Sequence, residues 1–123
     1  MLLKDILLVG LGGGAGSMAR YLCQRAVYSW HPHAFPFGTF FVNITGCFLI
    51  GIFFGLIDKG SMKPEMKMLL ATGFCGGFTT FSAFAAENIQ LLKDGRLLYF
   101  FIYTIASVAL GLLATFIGIS IVK

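Results

Sequence analysis

Charge is what this sequence has least of. Only nine of its 123 residues are Lys or Arg and five are Asp or Glu, while 58% are hydrophobic and the mean hydropathy is +0.89. So few charged groups cannot clothe the surface of a soluble domain, which excludes that class and makes the chain an integral membrane protein. Acids are the scarcer sign: after Asp5 the next is Asp58. The run "GLGGGAG" at 10–16 therefore lacks the acid that a dinucleotide fingerprint needs about 20 residues further on. No pair of intramembrane carboxylates and no nucleophile with a base beside it can be assembled, so an enzyme is not expected. Cysteine is sparse too, with Cys23, Cys47 and Cys75 far apart and without C-x-x-C clustering, which speaks for small core residues and against a metal site. Linkers, low-complexity tracts and internal repeats are missing, so residues 1–123 read as a single membrane domain.

Long uncharged runs are what is there. A hydrocarbon core of roughly 30 Å takes about 20 apolar residues per helix. Residues 37–57, 68–86 and 97–122 carry no Asp, Glu, Lys or Arg, and a shorter run at 6–19 must extend through Arg20, so the first span holds a cation. Four transmembrane helices are expected over about 5–29, 37–57, 67–91 and 97–122, an all-α membrane fold, and the first span lacks the features of a cleavable signal. Three short polar turns separate them: one bracketed by Pro32 and Pro36, one at 58–67 with Gly60 and Pro64, and one at 93–96 with Gly95. Short connections make neighbouring helices antiparallel. Lys4, Lys59, Lys63, Lys67 and Lys123 then fall on one side and Arg25, Lys93 and Arg96 on the other. Five against three is a small imbalance for the positive-inside rule, compatible with insertion in both directions or in one. A net charge of +4 shared between two faces gives no reason to expect nucleic acid as a partner.

Inside the spans, glycines and polar residues carry the information. Gly10 with Gly14, and Gly12 with Gly16, have the four-residue spacing that lets membrane helices approach closely, and so do Gly51 with Gly55 and Gly73 with Gly77. The third span contains "GFCGGFTTFSAF" at 73–84. Two adjacent glycines followed by Thr79 and Thr80 make poor helix interior, so this helix is expected to break between residues 76 and 80, at the pair Gly76 and Gly77. A break in lipid is tolerated only where protein, water or an ion satisfies the freed backbone groups. Released carbonyls would suit a small cation and released N–H groups an anion. Thr39 and Asn43 lie four apart on one face of the second span. Taken alone, Asn43 reads as an interhelical hydrogen bond, although its amide donors, without formal charge, also suit weak binding of a passing anion. Phe81 and Phe84, three apart, are by default lipid-facing or core residues. His31 and His33, in an interfacial turn beside Trp30, receive no metal role.

Three stretches, "GGGAGSMARY" (12–21), "FPFGTFFVNITGCFLIG" (35–51) and "GFCGGFTTFSAF" (73–84), resemble in order and spacing the successive signatures of the Fluc, or CrcB, family of fluoride channels. They cover about the first two-thirds of the chain; the fourth span matches in length and character only. The resemblance implies a fluoride pathway through Asn43, Phe81 and Phe84, with polar positions beside it at Thr39, Ser82 and Glu87, and with Tyr103 and Ser107 from the fourth span. It implies a structural role for Arg20 and a buried structural sodium ion held by the backbone carbonyls of Gly76 and Thr79 from both subunits. It further implies a dual-topology antiparallel homodimer in the plasma membrane of a microbe, exporting fluoride passively. One departure stands out: where members commonly read TTFSTFS, this chain reads "TTFSAFA", so Ala83 and Ala85 replace hydroxyls, and altered throughput is expected before lost selectivity. Two other classes remain open, a small proton-coupled multidrug-type exporter, with Glu87 its one candidate intramembrane acid, and a non-transporting scaffold subunit.

Overall fold

The computed structural model describes residues 1–30 and 33–123; His31 and Pro32, and with them part of the expected first turn, lie outside the described residues. Those described form helices and turns, with no strand among them. α1 runs over Leu2–Trp30 and α2 over Phe37–Asp58. The third span has two parts: α3 (64–78), made of an α-helical turn Pro64–Met66, a π-helical stretch Lys67–Cys75 and a further α-helical turn Gly76–Phe78, and α4, Phe81–Lys93. α5 covers Leu97–Ile121. Four helices, the third counted as one span over Pro64–Lys93, are long and apolar enough to cross a membrane.

Glycine ends two of these helices through its access to left-handed backbone. Gly60 (φ +72°) and Gly95 (φ +73°) are the only residues with positive φ among those described. After each, a hydrogen bond reaches five residues back, from Ser61 N–H to Leu56 O at 2.9 Å and from Arg96 N–H to Leu91 O at 2.8 Å. With the Gly60 to Ile57 and Gly95 to Leu92 bonds these are Schellman closures, which satisfy the last carbonyls of α2 and α4 before the chain reverses. Pro64 then opens α3 at a position where its missing N–H is not needed.

Packing is glycine-mediated, as the spacing predicts, but not at every pair. A side chain at Gly12 would strike Leu69 O and one at Gly16 would strike Phe74 O, so α1 lies directly against the backbone of α3. Gly77 likewise lies on the Gly13 carbonyl, Gly51 on Thr115 O and Gly55 on Val122. A side chain at Gly10 or Gly14, in contrast, would meet nothing within 4 Å. Lys4 pairs with Glu65 at 3.5 Å, and Gly55 meets Val122, which places both chain ends beside the second turn. All three cysteines are free, with Cys75 buried and the others half-buried.

The break in the third span sits later than the glycine pair. Gly76 and Gly77 stay helical, and the chain turns extended at Thr79 (φ −89°, ψ 158°) and Thr80 (φ −149°, ψ 117°). Gly77 is there for the close approach of α1, whereas two consecutive β-branched residues supply the extended conformation. The π-helical turns before the break were not legible in the sequence; wide turns of this kind frequently accompany functional sites.

Candidate functional site

Several of the backbone groups loosened by the break can be followed to a partner. Asn43, projecting from α2, grips both sides of Thr80: its Oδ1 accepts from Thr80 N–H at 2.7 Å, and its Nδ2 donates to Thr80 O at 3.1 Å. Arg20 of α1 donates through Nε to Gly77 O at 3.0 Å. The hydroxyl of Thr79 turns back to Cys75 O at 2.9 Å, and the hydroxyl of Thr80 caps α4 by accepting from Ala83 N–H at 3.2 Å. Two diversions follow. In an unbroken helix Thr80 N–H would serve Gly76 O, and Ala83 N–H would serve Thr79 O. Both N–H groups point elsewhere, so the carbonyls of Gly76 and Thr79 lose their helical donors, as do those of Phe78 and of Gly77, which Arg20 supplies instead.

Gly76 and Thr79 line a cleft of about 390 Å³ beside the break, together with Asn43, Phe81, Phe84 and Ser107. No Lys, Arg, Asp or Glu is among its lining residues. Ser107 Oγ is buried there without a hydrogen-bond partner among the described residues, an arrangement that ordinarily calls for a water or ligand. Phe81 is 79% exposed, and its ring centroid is 5.7 Å from that of Phe84.

A second pocket of about 210 Å³ opens nearer the end of α1 and collects Gln24, His33, Thr39 and Glu87. Phe84, which lines the first cleft, has its ring 5.0 Å from that of Tyr103, which is fully buried. Tyr103 OH donates to Glu87 Oε1 at 2.9 Å, Thr39 Oγ1 donates to Glu87 Oε2 at 2.7 Å, and Gln24 Nε2 donates to Thr39 Oγ1 at 3.0 Å. Each carboxylate oxygen holds one hydroxyl, so this intramembrane acid is hydrogen-bonded on both sides.

The expected site residues thus divide into three places. Asn43, Gly76, Thr79, Phe81, Phe84 and Ser107 share the cleft; Thr39 and Glu87 share the second pocket, with Tyr103 behind them. Ser82 stands apart on the exposed side of the break, its Oγ 3.3 Å from Thr80 Oγ1, and Arg20 reaches the break from α1 without lining the cleft. Asn43 differs from the reading as a free donor: both ends of its amide are engaged with Thr80, leaving one N–H for anything else. Sequence reasoning read Thr80 only as poor helix interior and passed over Asn88 and Gln24. Thr80 acts as backbone anchor and helix cap, Asn88 accepts from Thr104 at 3.3 Å between α4 and α5, and Gln24 orients Thr39. Gln24 carried a usable signal, lying four residues after Arg20 and so on the same face of an apolar helix.

A family model described as "CrcB-like protein, Camphor Resistance (CrcB)" matches residues 7–119. A protein of Flavobacterium psychrophilum named "Fluoride-specific ion channel FluC" is 48% identical over 122 residues, 98% of either chain. Relatives of the same name from Gloeothece citriformis and Phocaeicola vulgatus are 52% and 48% identical, each over at least 95% of this chain and 97% of their own. With signatures, four-helix architecture and near full-length identity in agreement, the chain belongs to the CrcB family.

Proposed function

We propose that this protein is a passive, fluoride-selective channel and not an enzyme, with its pathway running from the cleft past Phe81 and Phe84 to the Thr39–Glu87–Tyr103 cluster. The observation that carries the reading is a cleft lined by Asn43, Phe81, Phe84 and Ser107 without a charged side chain. Fluoride is small and strongly hydrated, and moving a carboxylate-sized ion from water to low dielectric has an idealised cost of order 20 kcal/mol. Many weak donors must replace its water. Ring edges carry positive partial charge, so Phe81 and Phe84 can face an anion and offer little to a cation. A fixed Lys would hold the ion too long for conduction. The names of the relatives support fluoride as the ion.

No energy source is required of such a pore. Hydrogen fluoride crosses lipid, dissociates inside and leaves fluoride trapped, and an inside-negative potential drives it outward by about 2.3 kcal/mol per charge per 100 mV. The setting we infer is the plasma membrane of a microbe. The functional unit we infer is an antiparallel homodimer with one subunit inserted each way. Supporting it are the outward-standing Phe81, the open faces of Gly10 and Gly14 and the small charge imbalance between the two sides. We infer a structural sodium ion at the carbonyls of Gly76 and Thr79, a reading supported by their being hard oxygen donors without helical partners on residues that line the cleft. Doubling these across a two-fold axis would supply four such oxygens. Its charge would hold the two breaks in register.

Fluoride and chloride efflux from liposomes containing the purified protein, under one imposed potential, tests the reading. Fluoride-only efflux that falls in Phe81→Ala supports it. Export of a lipophilic cation abolished by a protonophore would instead favour the multidrug-type exporter, and folded protein that conducts nothing would favour the scaffold.

A further inference from the structure

His33 lies outside every motif that the fluoride reading uses, yet it lines the second pocket together with Glu87, Thr39 and Gln24. Its Nδ1 accepts a hydrogen bond from Phe35 N–H at 3.0 Å. An acceptor nitrogen carries a lone pair, so the neutral ring bears its proton on Nε2, which faces Tyr99 OH at 3.5 Å. The bond matters because of what Phe35 does. Phe35 is nearly buried at 9% exposure, and its ring meets Tyr103 edge-on at 5.4 Å, Tyr99 at 5.8 Å and Phe40 at 6.1 Å. Tyr103 in turn donates to Glu87. His33 is therefore one hydrogen bond and one ring contact away from the donor that holds the intramembrane carboxylate.

We propose that His33 is a proton-responsive positioning residue at the mouth of the anion pathway: neutral, it fixes Phe35 through Nδ1, and protonated, it places a cation in the vestibule that raises fluoride entry. The inference rests on the channel reading above. A proton on Nδ1 meets the Phe35 N–H head-on, so that bond is lost and the N–H turns to water in the pocket. In exchange the mouth gains a positive charge. One unit charge about 7 Å from a passing anion, in an aqueous mouth, raises the local anion concentration about two- to threefold, and salt reduces the effect. The acidity that drives hydrogen fluoride across lipid would thereby open the exit further. Among the described residues, the titratable and charged groups facing His33 are Tyr28 from α1, Glu87 from α4 and Tyr99 from α5, with Arg96 over the Tyr99 ring at 5.6 Å. Its own segment and α2 contribute Phe35, Phe37, Gly38 and Thr39, which do not titrate. Glu87 is the competing titration.

The test is fluoride efflux from liposomes holding the full-length protein, at equal pH on both sides, from about pH 8 down to about pH 5.5, across the range in which histidines titrate. Protein-free vesicles measured alongside remove the leak of hydrogen fluoride. The unaltered protein is expected to speed up about two- to threefold toward acid, less so in high salt. His33→Gln and His33→Asn, both uncharged, are expected to lose that rise, and His31→Gln to keep it. A rise that survives in the His33 variants belongs to Glu87 and overturns the proposal, as does a flat profile in the unaltered protein or a rise lost in His31→Gln. Should His33→Gln fail to give folded protein, His33→Asn decides; should both fail, a salt-insensitive rise in the unaltered protein overturns it. Absence of fluoride efflux at any pH would instead sink the channel reading itself.

Discussion

Asn43 commits its amide to a single residue, and the consequences for substitution are specific. Asn43→Ala strips the partner from Thr80 N–H, worth about 1–3 kcal/mol when left unsatisfied away from water, and removes the second donor to Thr80 O, which keeps its helical bond as N-cap, so a drop in thermal stability in detergent is expected. Asn43→Asp separates structure from conduction. Its carboxylate can still accept from Thr80 N–H but cannot donate to Thr80 O, and it sets a negative charge in the cleft, so stability should fall less than in Asn43→Ala while fluoride efflux stops. Ser107 presents the opposite case, a hydroxyl with no structural partner to lose. Ser107→Ala should leave stability unchanged and slow fluoride efflux roughly fivefold, the equivalent of one hydrogen bond of about 1 kcal/mol at the limiting point of the path. An unchanged rate would remove Ser107 from the pathway. Ala83→Thr, which adds a hydroxyl in the first turn after the break, is expected to alter the fluoride rate while leaving chloride excluded.

At the scale of elements, the broken third span is held from two sides, by α2 through Asn43 and by α1 through Arg20. Arg20→Met preserves much of the apolar stem and removes the donor from Gly77 O; a hydrogen bond from a charged group contributes about 1.5–3 kcal/mol. The expected result is lower thermal stability, whereas a variant as stable as the parent would show that Gly77 O finds another donor. Gly77→Ala probes the same contact sterically. Its Cβ would enter the space of the Gly13 backbone, which cannot move aside as a flexible side chain could. Overpacking of about 1–3 kcal/mol follows, readable as a lowered melting temperature. Gly60→Ala and Gly95→Ala strain only turns, since each glycine holds positive φ in open space.

For the whole molecule, the cleft is left open on one side by the single chain, with Phe81 at 79% exposure among its lining residues. A second copy related by a two-fold axis would cover that face and bring two pairs of diverted carbonyls together. Replacing sodium by a large organic cation throughout purification is expected to weaken the dimer, measured as a shift toward monomer in size-exclusion chromatography. A dimer indifferent to sodium would overturn the cation site and leave the pathway proposal standing. Cross-linking should also report antiparallel pairing, with α1 of one copy close to the opposite end of its partner.

Much of this was written in the chain. Long uncharged runs determine membrane helices because unpaired backbone is too costly in lipid, and Gly60, Gly95 and Pro64 mark helix ends that the structure closes where the sequence places them. The sequence by itself also determined the family, since residue order within three short stretches carries it. Tertiary structure alone decided where the helix breaks and who satisfies it. The glycine pair suggested Gly76 and Gly77, but a glycine can be helical when a neighbouring helix presses on it, and two β-branched threonines with an asparagine across the bundle take the extended conformation instead. Partners such as Arg20 with Gly77, Gln24 with Thr39, or Tyr103 with Glu87 are 57, 15 and 16 residues apart. No local periodicity records such pairs, because they depend on which helix faces meet, and that is settled by close packing of the glycine faces after the spans have formed.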